Sequence, residues 1–93
     1  MVNVLLVEDD NDMRSLLSTF LASYKMRTIE AKDGKTALLK LANERVDIIV
    51  LDLMLPDMDG LELCRKIREK SDIPIIISSA KGDLGNKIIG FEL

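Results

Sequence analysis

Acidic side chains are the residues of this sequence best suited to chemistry, and they stand in two places. Glu8, Asp9 and Asp10 directly follow one short apolar run, and Asp52 directly follows another. The chain contains no His, which excludes histidine-activated nucleophiles, histidine metal ligands and a phosphohistidine of its own. Any chemistry must therefore rest on carboxylates, hydroxyls and backbone groups.

These acids predict a metal site if the two apolar runs are neighbouring strands. Two like charges about 4 Å apart repel by roughly 4 kcal/mol at an effective dielectric of about 20, so four converging carboxylates require a counter-cation or shifted pKa values. Mg²⁺ suits the case, because it binds one or two carboxylates and then phosphate oxygens. A second interpretation stays open: Glu8, Asp9 and Asp10 are helix caps and dipole partners, and Asp52 is a loop residue.

Asp52 differs from the other acids because it directly follows the run expected to be the most buried and precedes a turn-rich segment at 54–60. A carboxylate fixed in such a position can attack phosphorus and form an aspartyl phosphate. Ser78 and Ser79 end another apolar run, and a hydroxyl there can donate to a phosphoryl oxygen. A serine at a strand end also commonly forms a local turn, so that alternative stays open.

Four short runs predict the strands that position these residues, at 3–7, 26–31, 47–51 and 73–77. Three runs are continuously apolar, which is typical of strands covered on both faces. The run at 26–31 alternates and carries charges, as an edge strand does. Helices are predicted between the runs and from about residue 84 onward. The first is the best defined, with a cap sequence at 10–12. Its predicted apolar face consists of Met13, Leu16, Leu17, Phe20, Leu21 and Tyr24.

The alternation of strands and helices predicts an α/β fold with a doubly wound parallel sheet. The strand order is 2-1-3-4 if the two most apolar strands take the centre. Ligands bind such sheets beyond the carboxyl ends of the strands, where the strand order reverses. That point lies between the first and third strands, so the fold brings the two groups of acids together. With 93 residues, the chain is expected to form one domain over 1–93.

Composition excludes several other classes of function. A net charge of −3 argues against a nucleic-acid surface, and no segment is typical of a signal peptide or a membrane span. The single cysteine, Cys64, cannot form an internal disulfide. We therefore expect a reduced, cytoplasmic protein that binds neither nucleic acid nor membrane through this chain.

The assembled segments resemble the receiver domain of two-component response regulators, which has a flavodoxin-like fold. The resemblance rests on VLLVEDD at 4–10, AKDGKTAL at 31–38, DIIVLDLMLPDMDGLELCRKIR at 47–68 and IPIIISSAKGD at 73–83. It implies a phosphorelay protein whose partner is a sensor histidine kinase or a phosphotransfer protein. Such a domain accepts phosphate on its own Asp and then switches partner binding, so it is not a turnover enzyme.

The resemblance also implies roles for individual residues. Asp52 is the phosphoacceptor and a Mg²⁺ ligand, Asp9 binds the Mg²⁺ directly, and Glu8 supports it through water. The backbone carbonyl of Met54 completes the protein's share of the coordination. Ser79 donates a hydrogen bond to the phosphoryl group and draws the following loop inward. Asp10 is expected to be mainly a helix cap.

The sequence departs from the family pattern at its C-terminal end. It stops before the fifth strand, which carries a Lys near the phosphoryl group and an aromatic switch residue, and before the fifth helix. The domain is therefore expected to be C-terminally incomplete, with its fourth strand uncovered. This leaves an alternative function open, a non-switching scaffold that forms a homodimer through the fourth strand. A haloacid-dehalogenase-like phosphohydrolase is disfavoured, because Met54 stands where that family needs a second Asp.

Overall fold

The structure is a computed structural model and describes residues 1–78. Four strands and three helices alternate along this part of the chain. The helix predicted from about residue 84 and Ser79 lie outside that range. Strands 2 to 4 begin one or two residues later than predicted. For the fourth strand the reason is local, since Pro74 has no N–H and Ile73 donates its own to Ser71 Oγ at 3.2 Å. The elements are β1 (Asn3–Val7), α1 (Asn11–Ser23), β2 (Arg27–Ala31), α2 (Gly34–Asn43), β3 (Ile48–Asp52), α3 (Gly60–Arg68) and β4 (Ile75–Ser78).

All neighbouring strands pair in parallel, in the order β2-β1-β3-β4, which confirms the predicted topology. The register aligns Val7 with Leu51, and Asp52 with Ser78. The carboxyl ends of β1, β3 and β4 therefore lie at the same edge of the sheet. β2 lies at one side of the sheet with Arg27 and Glu30 exposed, as its alternating pattern predicts.

One face of the sheet packs against α2 and α3 and carries the main hydrophobic core. From α3, Leu63, Cys64 and Ile67 are buried in it, as predicted, and α2 contributes Ala37. The strand residues of this core alternate along each strand. They are Leu5, Val7, Ile29, Ala31, Ile49, Leu51, Ile75 and Ile77.

The opposite face of the sheet carries α1. The helix forms and is capped as predicted, but none of its residues is buried. Leu16, Phe20 and Tyr24 are more than half exposed. The predicted apolar face consists of two adjacent ridges with spacing of four residues, and it is too wide for both ridges to reach the sheet. Only the ridge of Met13, Leu17 and Leu21 is half-buried.

Gly60 allows the loop after β3 to close tightly on the start of α3. Its N–H donates to the carbonyl of Leu53 at 2.9 Å. A Cβ at this position would lie 2.6 Å from Leu53 Cα and 2.9 Å from the Asp52 carbonyl oxygen. Only glycine permits this approach, so the Asp-Gly pair at 59–60 fixes the path of the chain just after Asp52.

Candidate metal and phosphoryl site

Three of the four predicted acids meet at the carboxyl edge of the sheet. Glu8, Asp9 and Asp52 each place a carboxylate oxygen within 4.8 Å of the others. Glu8 follows β1 and Asp52 ends β3, and the parallel register brings these neighbouring strand ends together. Glu8 is 3% exposed and Asp52 is 4% exposed, whereas Asp9 is half-buried. Two buried carboxylates and a third beside them form a negatively charged pocket.

Burial raises the pKa of Glu8 to about 7. A hydrogen bond from the Asp10 N–H to Glu8 Oε2, at 3.1 Å, opposes this rise, and the negative charges of Asp52 and Asp9 add to it. Burial and the neighbouring charges therefore both disfavour the charged form of Glu8. A bound cation would relieve this repulsion.

Asp52 is held at the end of β3 by its own loop. Its Oδ1 accepts a hydrogen bond from the Met54 N–H at 3.1 Å. Across the strand pair, Ser78 is aligned with Asp52 and is buried. One carboxylate oxygen is thus anchored by a backbone donor, which restricts the rotation of the Asp52 side chain.

Asp10 does not join the cluster. Its Oδ1 instead accepts from the N–H groups of Asp12 and Met13, at 2.9 and 3.1 Å, and so caps α1. The predicted cap is confirmed, whereas the expected convergence of four carboxylates was wrong, because capping turns Asp10 away from the pocket.

Arg14 was not predicted to have a role, yet from the first turn of α1 it supports residues 8–10, the acidic loop between β1 and α1. Its Nη1 donates to the carbonyl of Glu8 at 2.8 Å and its Nη2 to Asn11 Oδ1 at 2.6 Å. Its Nε donates to Glu30 on β2 at 2.9 Å. The guanidinium thus connects the end of β1, the start of α1 and β2. The sequence could not predict the contact with Glu30, because Glu30 is sixteen residues away and only the folded position of β2 brings it to Arg14.

The sequence matches the response regulator receiver domain family over residues 4–93. This chain belongs to that family. Among curated relatives, it is 43% identical over 89 residues to the transcriptional regulatory protein ResD of Bacillus subtilis, which aligns 96% of this chain with 37% of ResD. It is 41% identical over 92 residues to the KDP operon transcriptional regulatory protein KdpE of Escherichia coli, covering 99% of this chain and 41% of KdpE. The receiver domain described here therefore spans less than half the length of these relatives.

Solved receiver structures share the fold. The response regulator TrrA of Thermotoga maritima, solved in complex with Mg²⁺-BeF, superposes with a TM-score of 0.82 at 32% identity, covering 88% of this chain and 72% of TrrA. The receiver domain of the Francisella response regulator 1452 gives a TM-score of 0.81 at 33% identity, over 94% of this chain and 73% of that domain. The flavodoxin-like architecture predicted from the sequence is thereby confirmed.

The donor set of this receiver domain fits a hard divalent cation. All three side chains of the cluster offer carboxylate oxygens, which are the ligands that Mg²⁺ prefers. Burial, with the nearby negative charges of Asp52 and Asp9, raises the pKa of the Glu8 carboxyl, and a bound cation would favour its charged form. Met54 lies in the loop directly after Asp52, where its carbonyl is predicted to contribute, while the predicted phosphoryl donor Ser79 lies beyond the described residues. Within residues 1–78, no helix is long and apolar enough to cross a membrane.

Proposed function

We propose that this receiver domain accepts a phosphoryl group on Asp52 in a Mg²⁺-dependent phosphorelay. The donor is a phosphohistidine on a sensor histidine kinase or a phosphotransfer protein. The observation that carries the proposal is the position of Asp52, a carboxylate that is 4% exposed, anchored by the Met54 N–H and grouped with Glu8 and Asp9. The Mg²⁺-BeF complex of TrrA supports the choice of metal and of phosphoryl chemistry.

In this reaction a carboxylate oxygen of Asp52 attacks phosphorus, and the bond between phosphorus and the donor imidazole breaks. The electron pair of that bond leaves with the imidazole, so the product is an aspartyl phosphate. A bound Mg²⁺ supplies charge neutralisation for the phosphoryl oxygens. Asp9 is the proposed direct metal ligand with Asp52 and the Met54 carbonyl, and Glu8 acts through water. Ser79 is the proposed donor to the phosphoryl oxygen.

The residues of the chain contribute mainly by positioning Asp52 and the acidic loop. The Met54 N–H restricts the rotation of Asp52, and Arg14 holds the carbonyl of Glu8 and thereby the path of the acidic loop. Each transfer leaves the Asp52 carboxylate phosphorylated and unable to accept a second group, so the domain is a switch rather than a turnover enzyme. We place this switch in the cytoplasm, where the phosphate alters a surface that binds a partner. The homodimer through β4 stays a prediction.

A direct test is to incubate the chain with Mg²⁺ and a small phosphoryl donor such as acetyl phosphate. Intact-mass spectrometry should show the addition of one phosphoryl group to the wild type. The addition should be absent with Asp52→Asn and strongly reduced with Asp9→Asn or with EDTA. Phosphorylation of Asp52→Asn to the same extent as the wild type would contradict the proposal, as would a reaction unaffected by removal of Mg²⁺.

A further inference from the structure

The loop between β3 and α3, residues 53–59, is tied to the start of α2 by a carboxylate distant in sequence. Asp57 Oδ1 accepts from the Gly34 N–H at 2.9 Å, and its Oδ2 accepts from the Lys35 N–H at 3.0 Å. The helix's own cap, Asp33, accepts from the Thr36 N–H at 2.8 Å. Two carboxylates thus satisfy three N–H groups of the first turn of α2, and one of these carboxylates comes from the loop that follows the phosphoacceptor.

A second contact joins the same two segments. The side chain of Met58 lies directly over Gly34, and a Cβ on Gly34 would lie 2.6 Å from the Met58 sulfur. Met58 also packs against the hydrophobic core. Gly34 is buried by this arrangement. The loop is therefore held to α2 by two adjacent residues, one through polar bonds and one through packing.

The other end of the loop is fixed to the phosphoryl site. Met54 pairs with Asp59 in an antiparallel bridge, and the Gly60 N–H donates to the carbonyl of Leu53. The Met54 N–H also holds Asp52. The segment from Leu53 to Gly60 is therefore closed at its base. Asp57 and Met58 directly precede Asp59, the bridge partner of Met54, so their contacts with α2 act next to the residue that pairs with Met54.

We infer that Asp57 is a positioning residue for the metal site, since its bonds to α2 fix the loop that presents the Met54 carbonyl. This rests on the proposed function, in which that carbonyl binds Mg²⁺. Asp57 does not itself join the acid cluster of Glu8, Asp9 and Asp52. Its effect is exerted through the orientation of the loop, as for other groups that orient metal ligands without touching the metal.

The test is a Mg²⁺ titration of the full chain, followed by amide NMR, for the wild type, Asp57→Ala and the matched control Asp33→Ala. Both variants remove a carboxylate from the same helix end, and both should lower the melting temperature. Only Asp57→Ala should also weaken Mg²⁺ binding, by about tenfold, the lower end of the range for groups that orient metal ligands. Asp57→Asn, which keeps one acceptor oxygen, should lie between Asp57→Ala and the wild type.

Asp57→Asn also serves as the test variant if Asp57→Ala does not fold. Equal Mg²⁺ affinities for the wild type and the Asp57 variants would overturn the inference, and so would an equal loss in Asp33→Ala, since that would be a general effect of helix destabilisation. An Asp52→Ala variant distinguishes a failure of this inference from a failure of the proposed function. Wild-type binding that requires Asp52 but ignores Asp57 overturns this inference alone, whereas a wild type that binds no Mg²⁺ overturns the proposed function and this inference with it.

Discussion

The helices on the two faces of the sheet differ in how many side chains they bury. The face covered by α2 and α3 is a continuous apolar core, into which α3 alone buries Leu63, Cys64 and Ile67. On the opposite face, α1 has no buried residue. There the hydroxyl oxygens of Ser18 and Thr28 are buried and have no hydrogen-bond partner among residues 1–78.

The difference separates the apolar core, which stabilises the fold, from the face that carries the acidic cluster. Strand alternation places Glu8 and Asp52 at the end of the α1 face, in line with Leu6 and Val50. Burying these carboxylates opposes folding, and the pKa of Glu8, raised to about 7, reflects that penalty. The apolar core on the α2–α3 face contributes burial that offsets this penalty.

Leu63→Ala should destabilise the protein by about 2–5 kcal/mol, because it leaves a cavity in the core of the α2–α3 face. Leu16→Ala, the matched change on α1, should alter the free energy of unfolding by no more than about 0.5 kcal/mol, since Leu16 is 64% exposed. Urea denaturation of both variants measures the contrast. Losses of similar size would mean that the two faces contribute equally.

Glu8→Gln should stabilise the metal-free protein at pH 8 by roughly 1–3 kcal/mol. The folded-state pKa of Glu8, about 7, lies above its ordinary value of 4.5. The stability from its bound proton is therefore complete below about pH 4.5 and is lost as pH rises through about 7. Glu8→Gln cannot ionise, so its advantage should shrink towards pH 5. Thermal melts in EDTA across this range would contradict the account if the advantage were independent of pH.

Arg14→Met should destabilise the protein by about 1–2 kcal/mol, because it removes the charged donor to the Glu8 carbonyl while keeping most of the apolar stem. Arg27→Met is the control. That guanidinium is 58% exposed and lies 3.6 Å from Glu44, so its loss should change stability by less than about 0.5 kcal/mol. Chemical denaturation that gives the two variants equal stability would show that polar contacts do not hold α1 in place.

Lys25→Gly should stabilise the protein by up to about 1 kcal/mol, the smallest effect in this set. Lys25 follows α1 with a φ of 62°, a left-handed conformation that glycine adopts without steric strain. Lys25→Ala keeps the Cβ and should bring no such gain. If both variants had the same melting temperature, relief of backbone strain would not be the cause.

Much of the fold could be predicted from local sequence patterns. The continuous apolar runs of β1 and β3 identified central strands, and the charges of Arg27 and Glu30 identified β2 as an edge. The same pattern could not show which apolar ridge of α1 meets the sheet. Leu16 and Leu17 are chemically identical, and only packing distinguishes them.

The acidic cluster could be predicted because parallel strand ends share one edge of the sheet. The supports of the site could not, since they are long-range contacts between ordinary surface residues. Arg14 bonds to Glu30 on another element, and Asp57 bonds to Gly34, which is 23 residues away. Nothing in the local pattern around Asp57 distinguishes it from a solvent-exposed loop carboxylate. The raised pKa of Glu8 likewise depends on burial that appears only in the folded chain.

The role of Asp52 as phosphoacceptor is tested by adding Mg²⁺ and beryllofluoride, a stable mimic of an aspartyl phosphate, and recording the melting temperature and amide NMR spectra. We expect stabilisation that requires Mg²⁺, beryllofluoride and Asp52 together, with resonance shifts at Asp9 and Met54. Asp52→Ala should show neither effect. Unchanged melting and spectra in the wild type, or an equal response in Asp52→Ala, would contradict the assignment of Asp52 as the phosphoacceptor.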